Sequence, residues 1–131
     1  MSEYMKVAAQ YFFGNEPIII YALLLIMAVD YTTGVCAAIY NKKLCSSIGY
    51  RGITKKIGMI CIVVLGHILG AYIMHDSNVL RNTTAMFYLA NEIVSIFENA
   101  NRMGLPLPEK LKDAFAKIRE TDKSDSADED S

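Results

Sequence analysis

The segment IIIYALLLIMAVDYTTGVCAAIY, Ile18 to Tyr40, decides what kind of protein this is. As a helix it covers roughly 34 Å at ~1.5 Å per residue, enough for a ~30 Å hydrocarbon core. It is apolar almost throughout, yet Asp30 sits just past its middle. An aspartate at the centre of a bilayer costs ~2.5–3.5 kcal/mol on insertion scales. Ile18, Ile19, Ile20, Leu23, Leu24, Leu25, Ile26 and Val29 return about −0.3 to −0.6 kcal/mol each, together roughly −2.4 to −4.8. The segment inserts with little surplus, and partner helices are expected to help it.

Charge elsewhere follows the same segregation. The chain has 131 residues, 53% of them apolar, and a formal net charge of −1, which by itself says nothing about nucleic acid. Between Glu16 and Asn41 only Asp30 is formally charged, and between Ile57 and His75 nothing is. The intervening NKKLCSSIGYRGITKK, residues 41–56, holds Lys42, Lys43, Arg51, Lys55 and Lys56 and no acid. Basic residues flush against two spans mark a cytoplasmic loop that sets topology. Cys36, Cys45 and Cys61 have no disulfide or metal spacing and are expected to be free thiols.

The second span is expected at Ile57–Met74, with His67 near its centre and Gly66 and Gly70 spaced for close helix approach. A third is expected in TTAMFYLANEIVSIFENANR, where Thr84, Tyr88, Asn91, Ser95, Glu98 and Arg102 fall on one helical stripe beside Glu92. Three spans put Arg102, Lys110, Lys112, Lys117 and Arg119 on the same side as the basic loop, with the N-terminus out and the C-terminus in. Gly104 suits the end of the third helix, and Pro106 and Pro108 prevent its continuation. Pro108 to Glu120 then reads as a short amphipathic helix on Leu111, Ala114, Phe115 and Ile118, and residues 121–131 as a disordered acidic tail. The expected organisation is thus an all-α membrane domain over 1–120 followed by the tail.

Within the spans, Asp30 shares a face with Thr33, Gly34 and Ala37, so a neighbouring helix is expected to approach there. Asp30, Thr33, Gly34, Ala37, Gly66, His67, Gly70, Asn91, Glu92, Ser95 and Glu98 are the candidate assembly or pore-lining residues. Glu98 and Arg102, spaced i,i+4, are expected to pair near the inner interface. No nucleophile–base set, phosphate loop, dinucleotide fingerprint or metal cluster is present in the sequence, so neither catalysis nor a cofactor is expected.

The strings DYTTGVCAAIYNKK, SSIGYRGITKKIG and above all FYLANEIVSIFENANRMGLPLPEKL resemble the phage-lysis and toxin-secretion holin family, over about Tyr21 to Phe115. The resemblance implies a small protein of the bacterial cytoplasmic membrane that forms homo-oligomers in the lipid bilayer. It implies large lesions through which an endolysin or a large toxin leaves the cell. It also raises a second start at Met5, beside Met1, giving long and short products of which one restrains the other. Two readings remain beside it: a small ion or proton channel using Asp30, His67 and Glu92, and an adaptor that recruits a partner through its C-terminal helix.

Overall fold

Pro17 fixes the chain just ahead of a run of isoleucines, and from Ile18 a helix proceeds without a breaker to Tyr40. In the computed structural model, which describes residues 2–14, 17–75 and 78–129, this is α2. It is preceded by α1 (Glu3–Phe13) and followed by α3 (Ser46–Ile68), which runs on through a π-helical turn, Leu69–Met74. α4 (Val79–Arg102) and α5 (Glu109–Glu129) complete the chain, and the described residues contain no strand. Met1, Asn15 and Glu16, Asp76 and Ser77, and the last two tail residues, Asp130 and Ser131, lie outside the described residues.

The turns explain how the helices reverse. After α2, Lys42 takes a left-handed conformation (φ 55°), its amide bonds to Ile39 O and the Lys43 amide reaches back to Ala38 O. This pairing satisfies carbonyls that a helix end leaves open. The end of α4 repeats it: Gly104 is left-handed (φ 70°), with Gly104 N bonded to Asn101 O and Leu105 N to Ala100 O. Gly104 therefore terminates α4 as its sequence position suggests, and Pro106 and Pro108 lie in the non-helical link to α5.

Two boundaries differ from expectation. The second long helix begins at Ser46, not Ile57, so the basic loop shrinks to Asn41–Cys45 and Arg51, Lys55 and Lys56 lie on α3. Gly49 and Gly52, which look like breakers, instead give the Tyr31 ring a place against α3. A Cβ on Gly49 would stand 3.2 Å from the Tyr31 hydroxyl, and one on Gly52 3.7 Å from its ring. The second difference is the tail, where the backbone stays helical through Glu129. No glycine or proline follows Pro108 to break it.

α2 packs along α4, and α3 lies against both. The apolar core is Ile20, Leu23 and Met27 from α2, Met59 and Val63 from α3, and Ala85 from α4. The outside is apolar too: Leu24, Leu25 and Val29, Ile62 and Leu65, Met86 and Phe87 are all exposed. Apolar residues on both the inside and the outside of a bundle suit a lipid surround. Among the described residues two segments are long and apolar enough to cross a membrane, Ile18–Tyr40 and Gly49–Met74. α4 is not apolar enough to join them by composition.

Candidate functional site

Asp30 is answered by a lysine. Lys56 Nζ donates to Asp30 Oδ2 at 2.6 Å and to Glu92 Oε2 at 2.6 Å, so one ammonium bridges carboxylates from two other helices. The side chains are 10% (Asp30), 4% (Glu92) and 16% (Lys56) exposed. Asp30 lies ten residues before the end of α2, Lys56 ten after the start of α3 and Glu92 ten before the end of α4. At ~1.5 Å per residue all three stand about 15 Å from their helix ends, on one level of the bundle.

Asn99 extends the cluster toward the helix ends. Its Nδ2 donates to Asp30 Oδ1 at 3.0 Å, to Asp30 O at 3.1 Å and to Thr33 Oγ1 at 2.9 Å. Thr33 Oγ1 in turn donates to Asp30 O at 3.0 Å. Arg102 Nη2 donates to Asn99 Oδ1, so the buried amide is engaged at both ends. Gly34 packs against this amide: a Cβ there would stand at ordinary contact distance, 3.5 Å from Asn99 Nδ2, and only a side chain longer than alanine's would crowd it. Ala37 is fully buried on the same face. Asn41 Nδ2 closes the end of the bundle by donating to Arg102 O at 3.2 Å.

The helix that approaches the Asp30, Thr33, Gly34 and Ala37 face is thus α4 of the same chain. Gly66 is used likewise, since its missing Cβ would lie 3.0 Å from Thr84 Oγ1. Gly70 is buried within the π-helical turn. The buried face of α4 is carried by Arg81, Ala85, Glu92 and Asn99, rotated from the polar stripe expected there. Asn91 and Ser95 are half-buried, and Ser95 shares a cavity wall with Asp30. Glu98 is exposed, and its expected pairing with Arg102 is absent among the described residues. The reason is competition, because Arg102 turns inward to Asn99. Lys42, Lys43, Arg51 and Lys55 are exposed; Lys56 is the one of the five basic residues drawn into the bundle.

His67 belongs to a different place. It lies eleven residues along α3 from Lys56, about 16 Å, toward the other end of the bundle. It is 5% exposed, its Nδ1 has no hydrogen-bond partner among the described residues, and its ring meets Tyr72 edge-on. Here α1 crosses: Gly14, at φ 80°, passes so close that a Cβ would stand 2.8 Å from both His67 Cε1 and Arg81 Nη1. Arg81 Nη1 donates to the Phe13 carbonyl at the end of α1, and its Nε and Nη2 donate to Asn82 Oδ1. His67 therefore does not converge with Asp30 and Glu92 on one site.

Lys56 and Asn99 are what sequence reasoning missed. Asp30 and Lys56 both stand thirteen residues from Lys43, and residues equidistant from the turn of an antiparallel pair fall at one level. That spacing was the available signal for Lys56. No metal-binding group of His, Cys, Asp or Glu occurs among the described residues. Cys36, Cys45 and Cys61 are exposed thiols outside any disulfide.

Residues 7–120 match the bacteriophage holin family. The chain belongs to that family. The probable holin of Bacillus phage phi105 is 31% identical over 130 residues, covering 95% of each chain. An uncharacterised 14.9 kDa protein from the nagH 3′ region of Clostridium perfringens is 41% identical over 107 residues, 81% of this chain and 80% of that protein. The uncharacterised protein Lmo0128 of Listeria monocytogenes is 38% identical over 102 residues, 78% of this chain and 72% of its own. No solved structure matches. Holin membership makes this a membrane protein of a non-enzymatic family associated with lysis, and its apolar helices agree with that.

Proposed function

We propose that the chain is a pore-forming holin that accumulates in the bacterial cytoplasmic membrane as a three-span bundle, N-terminus out and C-terminus in. It oligomerises and then opens lesions that release an endolysin or a large toxin. The observation that carries this reading is the Asp30–Lys56–Glu92 cluster. Glu92 and Asn99 meet partners on the two apolar helices only because α4 lies alongside them. At 24 residues α4 is about 36 Å long, enough to span. Glu92 and Asn99 then need not meet lipid, because Lys56, Asp30 and Thr33 occupy them.

The cluster also supplies what a two-state pore needs. Closed, its charges are satisfied within one chain and the exterior is apolar. Separating α4 from α2 and α3 would expose two carboxylates, an ammonium and Asn99 together. Such a surface is costly in lipid and favourable around water, so copies with parted helices gain by facing one another across an aqueous lesion. In this reading Asp30, Thr33, Gly34, Ala37, Asn91, Glu92 and Ser95 hold the closed bundle and then line the opening. Whether a shorter product from Met5 restrains the longer one follows from comparing the two starts in the same timing assay.

The test is induced expression in a bacterium, with release of a small dye and of a co-expressed folded protein followed together. A pore-forming holin releases both abruptly at a reproducible time. Release of ions or dye alone, graded with expression, would instead support a selective channel. The separation of His67 from Asp30 and Glu92 argues against that second reading.

A further inference from the structure

Between the ion cluster and the helix ends lies an open cavity of about 440 Å³, within the size range of small-molecule sites. Its charge is lopsided. Lys43, Lys56 and Arg102 line it against a single carboxylate, Asp30, which Lys56 and Asn99 already engage. Neither Lys43 nor Arg102 has an ion-pair partner among the described residues. Both stand at helix ends, the level of lipid headgroups when the bundle spans a bilayer. Between these cations and the Asp30–Lys56–Asn99 floor the wall is apolar at Val35 and Ala38, and Gly34, Gly49 and Gly52 add no side chain to it, the Asn99 amide and the Tyr31 ring packing on them instead.

We propose that this cavity is a binding site for the phosphodiester headgroup of an anionic phospholipid. Lys43 and Arg102, with the Asn41 amide beside them, receive the phosphate. The glycerol and the first carbons of a chain lie against Val35, Ala38 and the Tyr31 ring. The apolar band between the cationic rim and the polar floor is what distinguishes a lipid from a free anion, which would use the rim alone. The bound lipid would touch α2, α3 and α4 at once and so favour the closed arrangement of the same three helices.

The proposal rests on the reading of the chain as a bilayer-spanning bundle, and its test is independent of lysis. The full chain is purified in mild detergent, exposed to mixed micelles of phosphatidylglycerol or phosphatidylcholine at equal mole fraction, and the retained lipid is counted by native mass spectrometry. Phosphatidylglycerol is expected to be retained about tenfold or more over phosphatidylcholine. Lys43→Gln with Arg102→Gln should bring the two lipids to parity. Gly52→Leu, which fills the cavity and alters no charge, should do the same, with circular dichroism checking that helix content is kept. Arg51→Gln, an exposed cation off the cavity wall, should change nothing.

Equal retention of both lipids by the unaltered chain would overturn the proposal. So would an Arg51→Gln effect as large as that of the double variant, or full preference surviving in a folded Gly52→Leu. Displacement of the lipid by inorganic phosphate at matched ionic strength would assign the site to the free ion and overturn it too. A chain that permeabilises cells but shows no lipid preference loses this site and keeps the proposed function. One that prefers phosphatidylglycerol but permeabilises nothing keeps the site and loses the function.

Discussion

The two halves of the bundle are held by different physics. The half near the Asn41–Cys45 turn is polar inside, with Lys56 bridging Asp30 and Glu92 and Asn99 tying Asp30 to Thr33. The half toward α1 has an apolar centre, with Leu23, Val63 and Ala85 almost fully buried, and buries His67 and Arg81 only at its far end, under α1. In water the apolar half would dominate stability. In a bilayer it does not, because lipid tails are as apolar as leucine and only packing remains to be gained. Directional bonds in the polar half then decide whether the three helices stay together. The region that looks like a defect in an apolar span is the region that specifies the arrangement.

The sharpest way to break that contrast is Lys56→Met. It leaves two carboxylates, Asp30 and Glu92, facing each other without a cation. Removing one partner from a buried ion pair costs ~3–5 kcal/mol. Thermal unfolding in detergent should show a loss of that order, and permeabilisation should come early or not at all. Combining Lys56→Met with Asp30→Asn and Glu92→Gln removes the charges together and should restore most of the stability. Asp30→Leu alone should cost less than Lys56→Met, since Lys56 keeps Glu92. A Lys56→Met chain as stable as the original would end the claim that this half governs assembly.

Next in size is Asn99→Leu. It removes the donor to Asp30 Oδ1 and to Thr33 Oγ1 and crowds Gly34. Stranded acceptors cost ~1–3 kcal/mol, and the same unfolding measurement should show a loss in that range. Leu23→Ala, in the apolar half, should cost less than the ~2–5 kcal/mol typical of a water-soluble core, because its hydrophobic part is absent in lipid. An order of effects with Leu23→Ala above Asn99→Leu would invert the contrast between the halves.

How much of this was legible in the sequence follows the same division. The uninterrupted apolar run gave α2 its ends, and Gly104 with the prolines gave the end of α4. Asp30 with Gly34 and Ala37 marked a face for close approach, and that face meets α4. Lys56 was marked only by its spacing, thirteen residues from Lys43 as Asp30 is, because the positive-inside rule accounts for every basic residue beside a span alike. It took the pairing of α2 with α3 to separate Lys56 from Lys55. The buried side of α4 was misjudged because polarity was followed. Packing follows the smallest contacts, and Ala85 is fully buried while Thr84 faces Gly66. That rotation brings Asn99 inward and leaves Glu98 outside. Toward the C-terminal end of α4, Phe97 meets Phe115 of α5 at 4.6 Å between ring centroids, a pairing no periodicity within either helix announces.

The smallest effect expected is also the one that separates α1 from the rest. α1 has no buried residue of its own, so its position depends on what holds its end. Arg81 does so by donating to the Phe13 carbonyl, a cation at a helix C-terminus where it also meets the negative end of the helix dipole. Such a contact is worth ~0.3–1 kcal/mol when exposed and up to ~2 when partly buried. Arg81→Gln should therefore loosen α1 while leaving the ion cluster, about three turns away along α4, undisturbed. Hydrogen exchange in detergent should rise severalfold across Glu3–Phe13 and stay unchanged around Asp30, Lys56 and Glu92. Faster exchange in both places would mean that the outer clamp and the inner cluster form one cooperative unit, and the two halves would then have to be treated as a single lock.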